Sequence, residues 1–440
     1  RWYPTLAEAA QAVLYAGIGQ FLDEFEPAVN AALARGLLTE ADVERAIRPN
    51  FRVMIRLGLL DPPERVPYTK IPEKEPWNEA SSRELVRRVT QKSIVLLKND
   101  GALLPLDERT LRSIAVIGPL ADEVLLDWYS GTPPYAVTPL AGIRARLGER
   151  VEVRSAKNEA EAVELAKESD VVLVVVGNPP EAGASFGKAA HPTYGKEAVD
   201  RSEITLPEEP FIAEVLDQNP RTVVVLVSSF PYAVGWTKEH APAIVHLTHS
   251  SQEMGNALAD ALFGDVNPGG RLVQTWPRSL ADLPPMLDYD IRHGRTYLYF
   301  EGDALFPFGY GLSYTTFEYS KLRTPSGRLD AKRPLDVLVD VTNTGGRAGD
   351  EVVQMYARYV SSGVKRPLQQ LVGFSRVTLA AGETRTVTLS LDAGELAYWD
   401  ARSQRFVVEP GEVEVRIGRS SRDIELTKTL VVEAATDASE

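Results

Sequence analysis

Two hydrophobic periodicities divide the chain. Between about Glu79 and Phe263, short runs of continuously apolar residues alternate with amphipathic stretches. The runs Ile114–Gly118, Val151–Arg154, Val171–Gly177, Thr222–Ser228 and Ala243–Leu247 predict short strands buried on both faces. Helices are predicted at about 80–97, Glu159–Glu168, Glu208–Asp217 and Gln252–Phe263. Strands alternating with helices predict an α/β sandwich domain with a mostly parallel sheet. From about Leu312 the period becomes two. Residues 335–342, Val352–Tyr359, Thr384–Leu391 and Glu412–Ile417 predict alternating strands of a fibronectin III-like β-sandwich.

The first sixty residues follow neither pattern. Helical spacing runs over residues 7–16 and ends at Gly17, then recurs from about Glu24 to Arg35 and from Thr39 onward. Thr39-Glu-Ala-Asp42 has the form of a capping box. Val43, Ile47, Phe51, Met54, Ile55 and Leu57 fall toward one side of the third helix. No strand precedes these helices, so they read as a covering layer without its sheet. The chain starts at Arg1 without a signal-type apolar segment, and we expect a trimmed or fragmentary start. Asp61–Trp77 is rich in proline and charge and reads as a linker. The expected division is residues 1–60, a linker at 61–78, the α/β domain at 79–311 and the sandwich at 312–435.

Composition narrows the functional classes. At 440 residues, 44% hydrophobic and 25% charged, the chain has the balance of a globular protein of two or three domains. No apolar run reaches the roughly 20 residues of a membrane helix, so no membrane partner is expected. A net charge of −13 argues against a nucleic-acid partner. The absence of cysteine excludes disulfides, thiolate metal sites and a cysteine nucleophile, but fixes no compartment.

Candidate chemistry is sparse. Gly183-Ala-Ser185-Phe-Gly187 matches a nucleophile elbow, yet lies in a Pro/Gly-rich loop well past the strand it should follow. The five histidines show no metal-ligand spacing, and Pro119 spoils a dinucleotide fingerprint at Gly118. The loop after Val171–Gly177 carries Glu197-Ala-Val-Asp200-Arg201. It leaves the carboxyl end of a sheet strand, where open α/β sheets bind ligands. A loop glutamate is ordinarily solvated surface, and Asp200-Arg201 reads first as a structural ion pair. A catalytic acid would need a partly desolvated setting, which a long loop can supply. Trp128 and Tyr129, in the loop after the first parallel strand, can serve as a stacking platform for a sugar or pack inward in an ordinary turn.

The segment from Arg83 to Leu106, with Ser93-Ile-Val-Leu-Leu-Lys-Asn-Asp-Gly101 at its centre, resembles the start of the second domain of glycoside hydrolase family 3. So do Gly264-Asp-Val-Asn-Pro-Gly-Gly-Arg-Leu272, Pro307-Phe-Gly-Tyr-Gly-Leu-Ser-Tyr-Thr-Thr-Phe317 and the segment from Val341 to Tyr356. Lys365–Phe374 and Ala381-Gly-Glu383 continue the match, in order, through nearly the whole chain. The resemblance implies an α/β sandwich and a fibronectin III-like domain, preceded by a few helices from the end of a (β/α) barrel. It implies exo-acting, retaining hydrolysis of β-linked sugars, of the β-xylosidase or β-glucosidase class.

By the same resemblance Glu197 is the acid/base, and Trp128, Tyr129, Asp200 and Arg201 lie near the sugar. Ala198 replaces the glycine usual in the family's Glu-Gly-x-Asp-Arg pattern, and Gly19 stands where an aspartate is common. The nucleophilic aspartate would precede residue 1, so the resemblance implies a barrel partner in the same or another chain. The expected ligand is a β-linked oligosaccharide or glycoside; no cofactor and no metal are expected. A non-catalytic carbohydrate-binding or assembly module of the same fold is the alternative.

Overall fold

A computed structural model describes residues 3–71, 78–126, 131–178, 191–195, 199–248, 251–330 and 333–433. The chain forms two compact units, Arg1–Glu79 and Ala80–Glu440. In the first, α1 (Leu6–Tyr15), α2 (Glu26–Ala34) and α3 (Glu40–Arg56) pack around a small core of Ala7, Leu14, Ala32, Leu38 and Ala46. Thr39 caps α3 through a capping box closed by Asp42. The outer end of the apolar stripe on α3 stays exposed at Phe51, Ile55 and Leu57. Gly19 has a steric reason: a Cβ there would overlap the Ala46 carbonyl oxygen, so no aspartate fits this backbone.

The second unit begins with α4 (Ala80–Ser93), β1 (Val95–Asn99) and β2 (Ser113–Ile117). It continues with α5 (Pro139–Leu147), β3 (Glu152–Arg154), α6 (Glu159–Lys167) and β4 (Val171–Gly177). Then come α7 (Glu209–Gln218), β5 (Thr222–Val227), α8 (Gly235–His240), β6 (Ala243–Leu247) and α9 (Met254–Leu262). The strands form one sheet in the order β1-β6-β5-β4-β2-β3, parallel except for β1. Both faces are covered. Val171, Leu173 and Val175 of β4 join one core with α5 and α9, while Val172, Val174 and Val176 join the other with α6 and α7. A continuous valine run is therefore two interleaved faces, each buried under its own helical layer.

The helix expected over 80–97 is shorter than the sequence predicts. It stops at Ser93, and Val95–Asn99 forms the antiparallel edge strand, with Val95 opposite His246. Ile94-Val-Leu-Leu is short and apolar enough for either state, and pairing with β6 decides it.

The β-sandwich packs a five-stranded sheet, β11-β10-β15-β16-β8, against a three-stranded one, β12-β9-β7. Its strands are β7 (Phe317–Arg323), β8 (Arg328–Leu329), β9 (Leu335–Asn343), β10 (Gly349–Tyr359), β11 (Gln370–Leu379) and β12 (Thr384–Leu391). A hairpin of β13 (Tyr398–Asp400) and β14 (Arg405–Val407) follows, then β15 (Gly411–Ser420) and β16 (Asp423–Val432). Inward residues of both sheets, such as Val337, Val339, Val353, Met355, Val415 and Ile417, make a single core.

The glycine-rich motifs lie where the sandwich meets the α/β domain. Leu312 donates its N–H to Leu96 O at 2.8 Å, and Gln354 Nε2 donates to Gly309 O at 3.0 Å. Gly309 has φ +82°, and a Cβ there would overlap Gln354 Oε1. Arg271 from the α/β side pairs with Glu351 of β10 at 3.1 Å, both side chains nearly fully buried, and Tyr319 OH donates to the same carboxylate at 2.8 Å. Tyr297, in the short helix α10 (Thr296–Tyr299), stacks on Phe308 with ring centroids 4.1 Å apart and accepts the Leu371 N–H at 3.0 Å.

Candidate active site

The sheet order sets where ligand-binding loops can open. From β2 the chain moves outward through α5 to β3, then crosses by α6 to β4 on the other side of β2. Connections leaving β2 and β4 therefore diverge to opposite faces, which makes the carboxyl ends of these two strands the topological switch point. The loop after β2 contains Trp128 and Tyr129, and the loop after β4 contains Glu197, Asp200 and Arg201. The expectations for Trp128, Tyr129, Glu197, Ala198 and Ser185 lie outside the described residues. Asp200 and Arg201 lie within them.

The described parts of the β4–α7 loop form a closed base. Ser202 and Glu203 donate backbone N–H groups to Pro192 O at 3.2 and 3.4 Å, so residues 192 and 202 are held side by side. Thr193 is fully buried, and its hydroxyl lies 2.8 Å from His191 Nδ1. Arg201 Nε donates to Thr193 O at 2.9 Å, while both terminal nitrogens reach Pro231 O at 3.2 Å. The guanidinium lies 3.8 Å from the centre of the Phe230 ring and 5.0 Å from that of Tyr232. Burial lowers the Arg201 pKa from its usual value. Among the described residues no ion pair joins Asp200 to Arg201: the aspartate is exposed, and the guanidinium is turned to carbonyls and rings instead.

Glu208 Oε2, Tyr232 OH and Ser228 Oγ are buried without a hydrogen-bond partner among the described residues. Burial pushes the Glu208 carboxyl up to about 7 and raises the Tyr232 phenol well above its ordinary range. On the neighbouring side, Arg201, Ile204 and Pro231 line a 440 Å³ cavity together with Thr275, Tyr297 and Phe300. At the other loop, the Arg83 guanidinium lies 4.5 Å from the centre of the Tyr135 ring, and Gln252 Nε2 donates to Tyr135 O at 3.1 Å. Sequence reasoning missed Phe230, Pro231 and Tyr232. Their only sequence signal is an aromatic-proline-aromatic triplet directly after a parallel strand.

Metal ligation finds no support among the described residues, where no group of three or more His, Asp or Glu side chains converges. His246 is buried on β6 with Nδ1 3.1 Å from Leu226 O, and burial pushes its pKa down to about 4. No described helix is long and apolar enough to cross a membrane.

Comparison with known proteins agrees with this architecture. The glycosyl hydrolase family 3 C-terminal domain model matches residues 94–314, and a fibronectin type III-like domain model matches residues 351–421. A β-xylosidase from Formosa agariphila is 37% identical over 364 residues, covering 77% of this chain and 48% of that protein. A periplasmic β-glucosidase from Salmonella typhimurium is 33% identical over 470 residues, covering 94% of this chain and 59% of that protein. The solved structure of a β-glucosidase from Erythrobacter marinus superposes with a TM-score of 0.80 at 29% identity, covering 98% of this chain and 60% of the other. The chain thus spans about half the length of the curated relatives it matches. With the family model covering half of its residues and the motifs falling at the switch point and domain interface, the chain belongs to glycosyl hydrolase family 3.

Proposed function

We propose that this chain carries the acid/base half of an exo-acting retaining β-glycosidase of the β-xylosidase or β-glucosidase class. Glu197 protonates the leaving oxygen and then, as carboxylate, activates the water that releases the sugar. The nucleophilic aspartate comes from a barrel domain in the same or another chain. Retention requires the two carboxyl groups roughly 5–5.5 Å apart, so the sugar is held where the two domains meet. Trp128 and Tyr129 offer faces on which a pyranose can stack, Asp200 accepts from its hydroxyls, and Arg201 borders the same site. The chain is then divided as 1–60 (barrel helices), 61–78 (linker), 79–311 (α/β sandwich) and 312–435 (fibronectin III-like domain). Neither metal nor cofactor takes part.

One observation carries this reading. The motif Glu197-Ala-Val-Asp200-Arg201 belongs to the connection leaving β4 at the topological switch point, in a chain of glycosyl hydrolase family 3. The test is a leaving-group series of aryl β-xylosides and β-glucosides with the catalytically complete protein. E197A should lose about 100-fold or more on phenyl-type leaving groups and little on dinitrophenyl ones, which need no proton. Equal losses across the series would reject Glu197 as the acid. Sugar binding by calorimetry with no turnover in the complete protein would favour a carbohydrate-binding module instead.

A further inference from the structure

We infer that Arg201 is a positioning residue, which fastens the base of the β4–α7 loop, the loop to which the acid/base is assigned, to the β5–α8 loop. This rests on the reading of Glu197 given above. Arg201 is half-buried, a setting in which an arginine is ordinarily satisfied by a carboxylate or by solvent. It faces no carboxylate among the described residues; its three nitrogens donate to Thr193 O and Pro231 O. Those acceptors belong to two different loops. The bond to Thr193 joins two positions that flank residue 197 in the sequence, and the bonds to Pro231 tie Arg201 to the segment that follows β5. Phe230 supplies the third side, with the guanidinium stacked over its ring at 3.8 Å.

The loop also runs close to that ring. A Cβ on Gly195 would overlap Phe230 Cε1, so the backbone at this glycine passes against the rim of the ring. Only a planar, forked cation reaches carbonyls in two directions while stacking on a ring; a lysine ammonium keeps the charge but cannot span all three contacts. Displacing a catalytic group by about 1 Å can cost about 100-fold in rate, so an anchor of this kind acts on kcat rather than on sugar affinity.

The experiment pairs R201K with E197A. Hydrogen exchange on the present chain should be about 10-fold faster in R201K for amides of residues 191–204, with β4 and β5 unchanged. In the catalytically complete protein, R201K should lower kcat on phenyl-type glycosides about 100-fold, spare dinitrophenyl ones, and leave KM within about 3-fold. Unchanged exchange and an unchanged leaving-group profile, with E197A still selective, would overturn the anchor while the acid/base reading stood. A raised KM with unchanged exchange would make Arg201 a sugar contact and overturn the anchor equally. If E197A shows no leaving-group selectivity, the acid/base reading falls, and loop exchange alone then decides the anchor. Should R201K not fold, Phe230→Leu removes the stacking face, keeps the guanidinium, and is read by the same exchange measurement.

Discussion

Glu208 is the residue whose chemistry is most at odds with its place. It stands at the start of α7 with one carboxyl oxygen buried and without a partner among the described residues. Burial raises its pKa from about 4.5 to about 7, so the folded protein holds a proton there that the unfolded chain has released. The unfolded state then binds fewer protons between these values, and this group's contribution to stability falls as pH rises through that window. Glu208→Gln should remove that slope. In urea titrations at pH 4.5 to 8, the variant should gain stability relative to the wild type as pH rises, the gain levelling off above about 7. A constant difference across this range would mean that Glu208 ionises normally. Nothing in the sequence marks Glu208, one of two adjacent glutamates after a proline; its environment comes from the packing of Tyr232 and the β5–α8 loop.

At the scale of elements, β2, β4, β5 and β6 were legible because their residues are apolar on both faces and flanked by turn residues; β3, expected to be buried on both faces, is instead a short edge strand with Glu152 exposed and Val153 and Arg154 half-buried. Edge strand β1 was not, since Ile94–Leu97 continues the apolar spacing of α4 and only the ladder to β6 gives it strand geometry. In the sandwich, β9, β12 and β15 carry the alternation, whereas β10 is buried at nearly every position. Strands β7, β11 and β16 carry polar or exposed residues at many positions, among them Phe374 and Val431, and their pattern is correspondingly weak. The glycine motifs were legible as family signatures, but their physical role is at the interface. Gly309→Ala combines a positive φ with a clash on Gln354 Oε1, and it should cost about 1–3 kcal/mol. Chemical denaturation of residues 80–440 measures it, and a change below about 0.5 kcal/mol would show that the loop relaxes freely.

Over the whole molecule, the α/β domain and the sandwich are joined by buried polar groups as well as by apolar contact. Arg271, Glu351 and Tyr319 form a nearly water-free cluster across the junction. Removing one partner of such a pair strands the other, so Glu351→Ala should cost about 3–5 kcal/mol. Because the cluster couples two cores, calorimetry should show one transition for the wild-type 80–440 unit and two for the variant. A variant that still unfolds in one step at the same midpoint would mean that the junction is held by apolar packing alone. The candidate site depends on the same rigidity, since Tyr297 and Phe300 line the cavity beside Arg201 and are themselves braced against the sandwich.

By itself the sequence determined the two kinds of sheet, their order along the chain and the loop expected to carry the acid, because periodicity and motif spacing are local properties. Tertiary structure alone decided the antiparallel edge strand, the neighbours of Arg201 and the meaning of the glycine motifs. Each of these depends on groups far apart in the chain: Arg201 meets Pro231 30 residues on, and Arg271 meets Glu351 80 residues on. Such contacts form only when the sheet has closed and its loops share one end, and no pattern of neighbouring residues encodes them.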